Sequence, residues 1–372
     1  MTNKFTVNNF DLLRLFAASE VLLMHSYPRL HIPTPAFLDV LLNFPGVFMF
    51  FVMSGFLISA SLERNKNLKT YFRNRILRIF PALWACILVS VIVIPLTGSF
   101  NFISQQGLTW FACQLFGLIY TPDFLKSFGF GSYNGSLWTI PLELQFYFVL
   151  PVLYFIATKI SKKELNRTYL FIIVFLAFCF VSYYIKIDFT NAESQTLSQK
   201  IMRYTFINSI YLFLFGVILQ RLKVFQSRFI YGKGLFWLAL YMVVSHFVPT
   251  SNETVIFKLL FLGLTTISLA YTFPSLAKKL LKGNDISYGL YIYHGLILGI
   301  FVQLKLFSNP AYILLLITLS ITLATLSWFF IEKPIIKMKK RGTANKANTS
   351  IETNSLSIDI TTETKLASTA SI

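Results

Sequence analysis

The sequence predicts an all-α, polytopic integral membrane protein with about ten transmembrane helices and both termini on the cytoplasmic side. Three observations carry this prediction. Apolar runs of about 20 residues, the length that crosses a ~30 Å hydrocarbon core, recur along the chain. Of the 372 residues 55% are hydrophobic and only 13% are charged, roughly half the charged share of a soluble domain. The Lys and Arg residues also collect in every second connecting loop.

The runs expected to span are Phe10–Tyr27, Pro45–Leu62, Pro81–Leu96, Ser136–Thr158 and Tyr169–Lys186, followed by Tyr204–Leu222, Ile230–Val248, Val255–Tyr271, Ile286–Leu304 and Tyr312–Ile331. The first contains Arg14 and lacks a small-residue cleavage site, so it reads as a retained helix and not as a signal peptide. The apolar piece Leu108–Ile119 is too short to cross and reads as re-entrant or interfacial.

With the N-terminus inside, the inner loops hold Arg64, Lys66, Lys69, Arg73, Arg75 and Arg78, then Lys159, Lys162, Lys163 and Arg167. Further inner loops hold Arg221, Lys223, Arg228 and Lys233, then Lys278, Lys279 and Lys282, and finally Lys333 to Arg341. The outer segments hold only Arg29, Lys126, Lys186, Lys200, Arg203 and Lys305. This alternation follows the positive-inside rule. It accounts for the net charge of +18 without a nucleic-acid partner.

The outer loop from Thr97 to Gly135 is the longest and is suited to covering an external cavity. Residues 1–341 read as one membrane domain, and 342–372 as a disordered polar cytoplasmic tail. Cys86, Cys113 and Cys179 match no disulfide or metal spacing, so they read as small apolar fillers. No metal site is expected.

Ionisable side chains inside spans are expensive, which makes them functional candidates. The first span carries Arg14, Glu20 and His25. At 100° per residue, Arg14 and His25 lie on one face about 16 Å apart along the axis. Glu20 falls off that face and is expected to pair with a neighbouring helix. Arg75 and Arg78 are i, i+3 neighbours with Arg73 close by; guanidinium pairs suit phosphate, although ordinary inner-loop charge is the simpler explanation. Glu143 lies at about the depth of His25 and could orient its ring as in general-base pairs, or make a structural hydrogen bond. His294 suits either a tunnel lining or a helix–helix hydrogen bond, without an assigned chemical role.

Together these residues and their flanking motifs resemble the acyltransferase-3 family of bacterial membrane acyltransferases, from about Asn9 to Pro334. The resemblance is carried by Arg14 and His25 in an R-x10-H arrangement, FFVMSGFLIS around Ser54–Gly55–Phe56, and the R-x-x-R pair Arg75 and Arg78. It continues through GSLWTIPLELQFYFVLP around Trp138 and Glu143, ISYGLYIYH ending at His294, and IEKP at Glu332 to Pro334.

The resemblance implies transfer of an acyl group, usually acetyl, from cytoplasmic acyl-CoA to a hydroxyl of an extracytoplasmic glycan or polysaccharide. It implies a bacterial inner membrane location, with acyl-CoA as a substrate and no permanently bound cofactor. Partners would be the glycan, membrane lipid and envelope-biosynthesis proteins. Some members carry an added extracytoplasmic domain; the short polar tail here suggests a standalone enzyme. On this reading His25, with Glu143 and Arg14, is catalytic, either as general base or through an acyl-histidine, and Arg73, Arg75 and Arg78 hold the donor. A transporter or flippase for a glycan or acylated lipid is the alternative, although the halves show no inverted repeat.

Overall fold

The computed structural model describes residues 5, 7–98, 100–185, 202 and 204–338; the expected polar tail, 342–372, lies outside the described residues. Among the described residues every regular element is helical. The first helices are α1 Phe10–Arg29, α2 Gly46–Arg64, α3 Leu68–Val93, α4 Gln105–Leu115 and the single turn α5 Asp123–Lys126. They are followed by α6 Thr139–Ile160, α7 Glu164–Ile185, α8 Ile210–Arg221, α9 Gly234–Phe247 and α10 Val255–Ala270. The last are α11 Leu276–Leu281, α12 Ser287–Gln303 and α13 Ala311–Ser327, which runs on as a π-helical turn over Trp328–Glu332.

Each of the ten apolar runs carries a helix. Among the described residues, five segments are long and apolar enough to cross a membrane: Ala36–Arg64, Leu68–Thr97, Gly135–Ile160, Glu164–Ile185 and Ala311–Met338. Helices α8, α9 and α10, at 12, 14 and 16 residues, are shorter than that. The third helix begins at Leu68 and not at Pro81, because Asn67 caps it by accepting a hydrogen bond from the Thr70 amide at 3.0 Å. Arg73, Arg75 and Arg78 therefore ride on formed helix, with Pro81 tolerated inside it. The short run from Leu108 lies mostly in α4, whose N-cap is Ser104; its hydroxyl oxygen accepts the Gly107 amide at 3.1 Å.

Helices α2 and α8 form the tightest pair of the bundle, and glycine makes their approach possible. A Cβ on Gly55 would stand 1.9 Å from the Phe213 carbonyl oxygen, and one on Gly216 would stand 2.1 Å from that of Val52. Small residues let helix backbones touch where lipid supplies no hydrophobic drive for association. Around this pair, α1 packs on α2 and α12, α12 packs on α13, and α9 pairs with α10. Glu20 is buried at the start of α2, where its carboxylate accepts the Gly46 amide at 2.8 Å and satisfies a helix N-terminus.

Polar cross-links gather at one end of the bundle. Arg221 at the end of α8 bridges Glu63 at the end of α2 and Glu164 at the start of α7, at 2.6 and 2.8 Å. Gln220 joins Glu63 to Ser59, which also meets the Tyr154 hydroxyl. Replacement of Gly216 by Leu should force α2 and α8 apart and cost about 1–3 kcal/mol or more through overpacking. It should lower the melting temperature of the detergent-solubilised protein, and an unchanged melting curve would refute the close approach.

Candidate active site

Asp285, just ahead of α12, receives two guanidinium groups on one oxygen. Arg14 of α1 donates to its Oδ2 at 3.0 Å and Arg78 of α3 at 2.7 Å. The other oxygen accepts the Ser287 hydroxyl at 2.5 Å and the Ser287 amide at 3.2 Å. Arg14 also pairs with Asp11. Glu332 approaches Arg78 at 3.8 Å from the π-helical turn after α13. One carboxylate thus ties α12, just ahead of its first residue, to the second turn of α1 and to a point about three turns into α3, with α13 alongside. Burial alone would raise the Asp285 carboxyl, but Arg14, Arg78 and the Ser287 hydrogen bonds more than offset it and hold it below the ordinary carboxylate range.

A cavity of about 440 Å³ opens beside this cluster, within the range of small-molecule sites. Its wall includes a stripe of α2 at helical spacing, from Val47 through Phe50, Ser54, Leu57 and Ser61 to Arg64. That stripe extends about 26 Å along the helix axis. At the charged mouth the lining includes Arg14, Arg64, Arg75 and Arg78; along the rest it includes Glu143, Tyr147, Thr139 and Tyr291. Three buried polar atoms at the mouth have no hydrogen-bond partner: Arg14 Nε, Arg75 Nε and Glu332 Oε2. Arg14 and Arg78 are ion-paired, whereas Arg75 makes no ion pair among the described residues. Its guanidinium lies only over the Tyr147 ring, 5.8 Å from the centroid. A half-buried guanidinium with no carboxylate within ion-pair distance is suited to an incoming anion.

The structure sorts the residues singled out in the sequence. Arg14, Arg75, Arg78 and Glu143 share the cavity. Arg73 does not; it is exposed, because its place on α3 turns it to the opposite side from Arg75. The sequence leaves Glu143 two roles, orienting His25 or making a structural hydrogen bond, and the structure does not bring it to His25. Its carboxylate instead accepts the Tyr147 hydroxyl one turn on, and His25 Nδ1 lies 3.3 Å from His294 Nε2. The reason is packing: α1 runs along α12, which supplies the neighbour at that depth. His25 is not on the cavity wall. Tyr291 stands between, its hydroxyl bonded to Thr139 and to the Ser136 carbonyl, and its ring 5.9 Å from that of His294.

Asp285 escaped the sequence reading, although a carboxylate two residues ahead of a helix-starting serine is a capping signal. The histidine pair had no signal, since its partners are 269 positions apart. On the far side of His25, Arg29 stacks on Phe130 at 3.9 Å. The GSLW turn packs on α12 at Gly295, where a Cβ would meet Asn134 Oδ1 and Ser136 Oγ at 2.1 Å.

From residue 7 to residue 329 the chain matches the acyltransferase-3 model, described as an acyltransferase domain. Nodulation protein 10 of Rhizobium leguminosarum bv. viciae is 29% identical over 359 residues, covering 89% of this chain and 94% of that protein. The O-acetyl transferase of Shigella phage Sf6 is 26% identical over 358 residues, covering 88% and 95%. A shorter match, 31% identical over 140 residues, relates 32% of the chain to 21% of the peptidoglycan O-acetyltransferase OatA of Listeria monocytogenes. No solved structure matches the chain.

Asp285→Asn should leave the half-buried Arg14 and Arg78 without their shared anion, with only Asp11 and Glu332 remaining, and destabilise the protein by about 1–3 kcal/mol. Because the folded carboxyl is held below its unfolded value, its contribution is present above the unfolded value and is lost as pH falls through the folded one. Thermal melts of wild type between about pH 7 and pH 3 should therefore lose stability on the acid side, and Asp285→Asn should lose less. Equal acid sensitivity of the two proteins would count against this ion cluster.

Proposed function

The chain belongs to the acyltransferase-3 family and is an integral-membrane O-acyltransferase, and we propose that it carries acetyl from acetyl-CoA on the cytoplasmic side to a hydroxyl of an extracytoplasmic glycan. One observation carries this reading: a single cavity joins an arginine-lined mouth, with Arg75 unpaired, to an inner wall at Tyr291 next to the His25–His294 pair. The printed names of two relatives, an O-acetyl transferase and a peptidoglycan O-acetyltransferase, favour acetyl as the group and a glycan as the acceptor.

In this reading the protein lies in the bacterial cytoplasmic membrane with ten crossings and both termini inside. The alternating loop charge supports that orientation. So does the gathering of Arg14, Arg78, Asp285, Glu63 and Arg221 at one end of the bundle. Arg75 takes the phosphates of CoA, while Arg14 and Arg78, fixed by Asp285, add positive potential around them. The acyl arm follows the α2 stripe toward Tyr291. His25 receives the acceptor hydroxyl from the outer side.

His25 acts as general base. It removes the hydroxyl proton as the oxygen attacks the thioester carbonyl; the C–O bond forms, the C–S bond breaks, and the departing CoA thiolate takes the proton back from His25. Glu143 belongs to the donor side of this arrangement, shaping the cavity wall through Tyr147.

Membranes given labelled acetyl-CoA should transfer label to surface glycan, and mass analysis of the glycan with and without the protein should differ by acetyl groups. His25→Ala should abolish transfer with membrane levels intact; a fully active variant would sink the general-base role. Arg75→Gln should raise the KM for acetyl-CoA roughly 10- to 100-fold, the value of one or two charge-assisted hydrogen bonds. Arg73→Gln should leave it unchanged. Equal effects at both positions would reduce the arginines to loop charge.

A further inference from the structure

We propose that His294 is the positioning residue of the reaction, fixing which nitrogen of His25 carries the proton; the inference rests on the reading of His25 as general base. His294 is fully buried in α12. Its Nδ1 lies 3.1 Å from the Leu290 carbonyl oxygen, one turn earlier in the same helix. A carbonyl can only accept, so this nitrogen bears the hydrogen. Among the described residues no carboxylate contacts either ring as a counter-ion for an imidazolium, and an unpaired charge in the bundle interior is expensive. With His294 neutral, its Nε2 carries a lone pair and no hydrogen.

That lone pair faces His25 Nδ1 at 3.3 Å. The only complementary arrangement has His25 donating from Nδ1, which leaves its Nε2 unprotonated and free to take a proton from the acceptor hydroxyl. The chain of dependence runs from a backbone carbonyl to one tautomer, and from that tautomer to the next. It parallels the way a hydrogen-bond acceptor behind a catalytic histidine selects its reactive form. Here a neutral ring does the selecting, so no buried anion has to be stabilised near the thioester.

The surroundings hold the ring in one orientation. Tyr291 lies edge-on to it, with the ring centroids 5.9 Å apart, and is itself fixed by Thr139 and the Ser136 carbonyl. Asn134 donates to the Ile292 carbonyl at 2.7 Å beside it, and Gly295 lets that turn approach. His25 and His294 are tilted by 36° with centroids 5.6 Å apart, so they meet through their nitrogens and are not stacked face to face.

The test compares His294→Gln with His294→Met, side chains of similar length that differ in having an oxygen able to accept from His25 Nδ1–H. Turnover is measured with labelled acetyl-CoA and taken per protein that still binds acetyl-CoA, so that a misfolded fraction does not enter. His294→Met should lower kcat by at least about 100-fold with the acetyl-CoA KM within about twofold, in line with loss of tautomer control. His294→Gln should recover at least tenfold over Met. A His294→Met variant within about threefold of wild type, or Gln no better than Met, overturns the proposal. If His25→Ala is inactive while His294→Met is fully active, only this inference falls; if His25→Ala retains activity, the general-base reading falls with it.

Discussion

The bundle is organised around Asp285, the carboxylate that Arg14 and Arg78 share. Three helices meet there, the start of α12 with the second turn of α1 and the body of α3, and the charges they bring would otherwise lack a partner. Arg14 and Arg78 come from different helices, and the anion they share offsets their mutual repulsion at the cavity mouth. Because Asp285 also caps α12 through Ser287, the same group fixes the rotation and height of the helix that carries Tyr291 and His294. The charge cluster and the histidine pair are thereby coupled through one rigid helix. Disturbing the cluster should be felt more than a turn away at the inner wall.

Helix α2 gives that wall its counterpart. One face is pressed backbone to backbone on α8 through Gly55 and Gly216. The other presents the stripe from Val47 to Arg64 to the cavity. The glycines that permit the first contact leave no freedom for α2 to rotate, so the stripe keeps its register. That serine and aromatic surface is held by packing on the opposite side of the same helix. Glu20, closing the first amide of α2 from α1, sets the axial position.

Charge and titratable nitrogen are kept apart along the bundle. The arginines crowd one end, where anions from water can reach them; the two histidines sit deeper, behind Tyr291, with Arg29 and Phe130 beyond. In a low-dielectric interior each polar group acts strongly at short range. Tyr291, held by Thr139 and Ser136, is the layer through which the two parts touch, so its placement governs how the cavity meets the histidine pair.

The sequence by itself determined the helical runs, the low charge, the alternation of basic loops and the residues worth attention: Arg14, His25, Arg75, Arg78, Glu143 and His294. Those are local properties, since apolar length and 3.6-residue periodicity are written along one strand of text. Position along each run could also be read. Azimuth could not. Glu143 accepts the Tyr147 hydroxyl while His25 meets His294, and Arg73 shares α3 with Arg75 yet faces away from the cavity. Only the tertiary structure decided that Asp285 joins Arg14 to Arg78 and that His25 meets His294. Which helices are neighbours, and how each is rotated, depends on packing across hundreds of residues, and no local pattern encodes it.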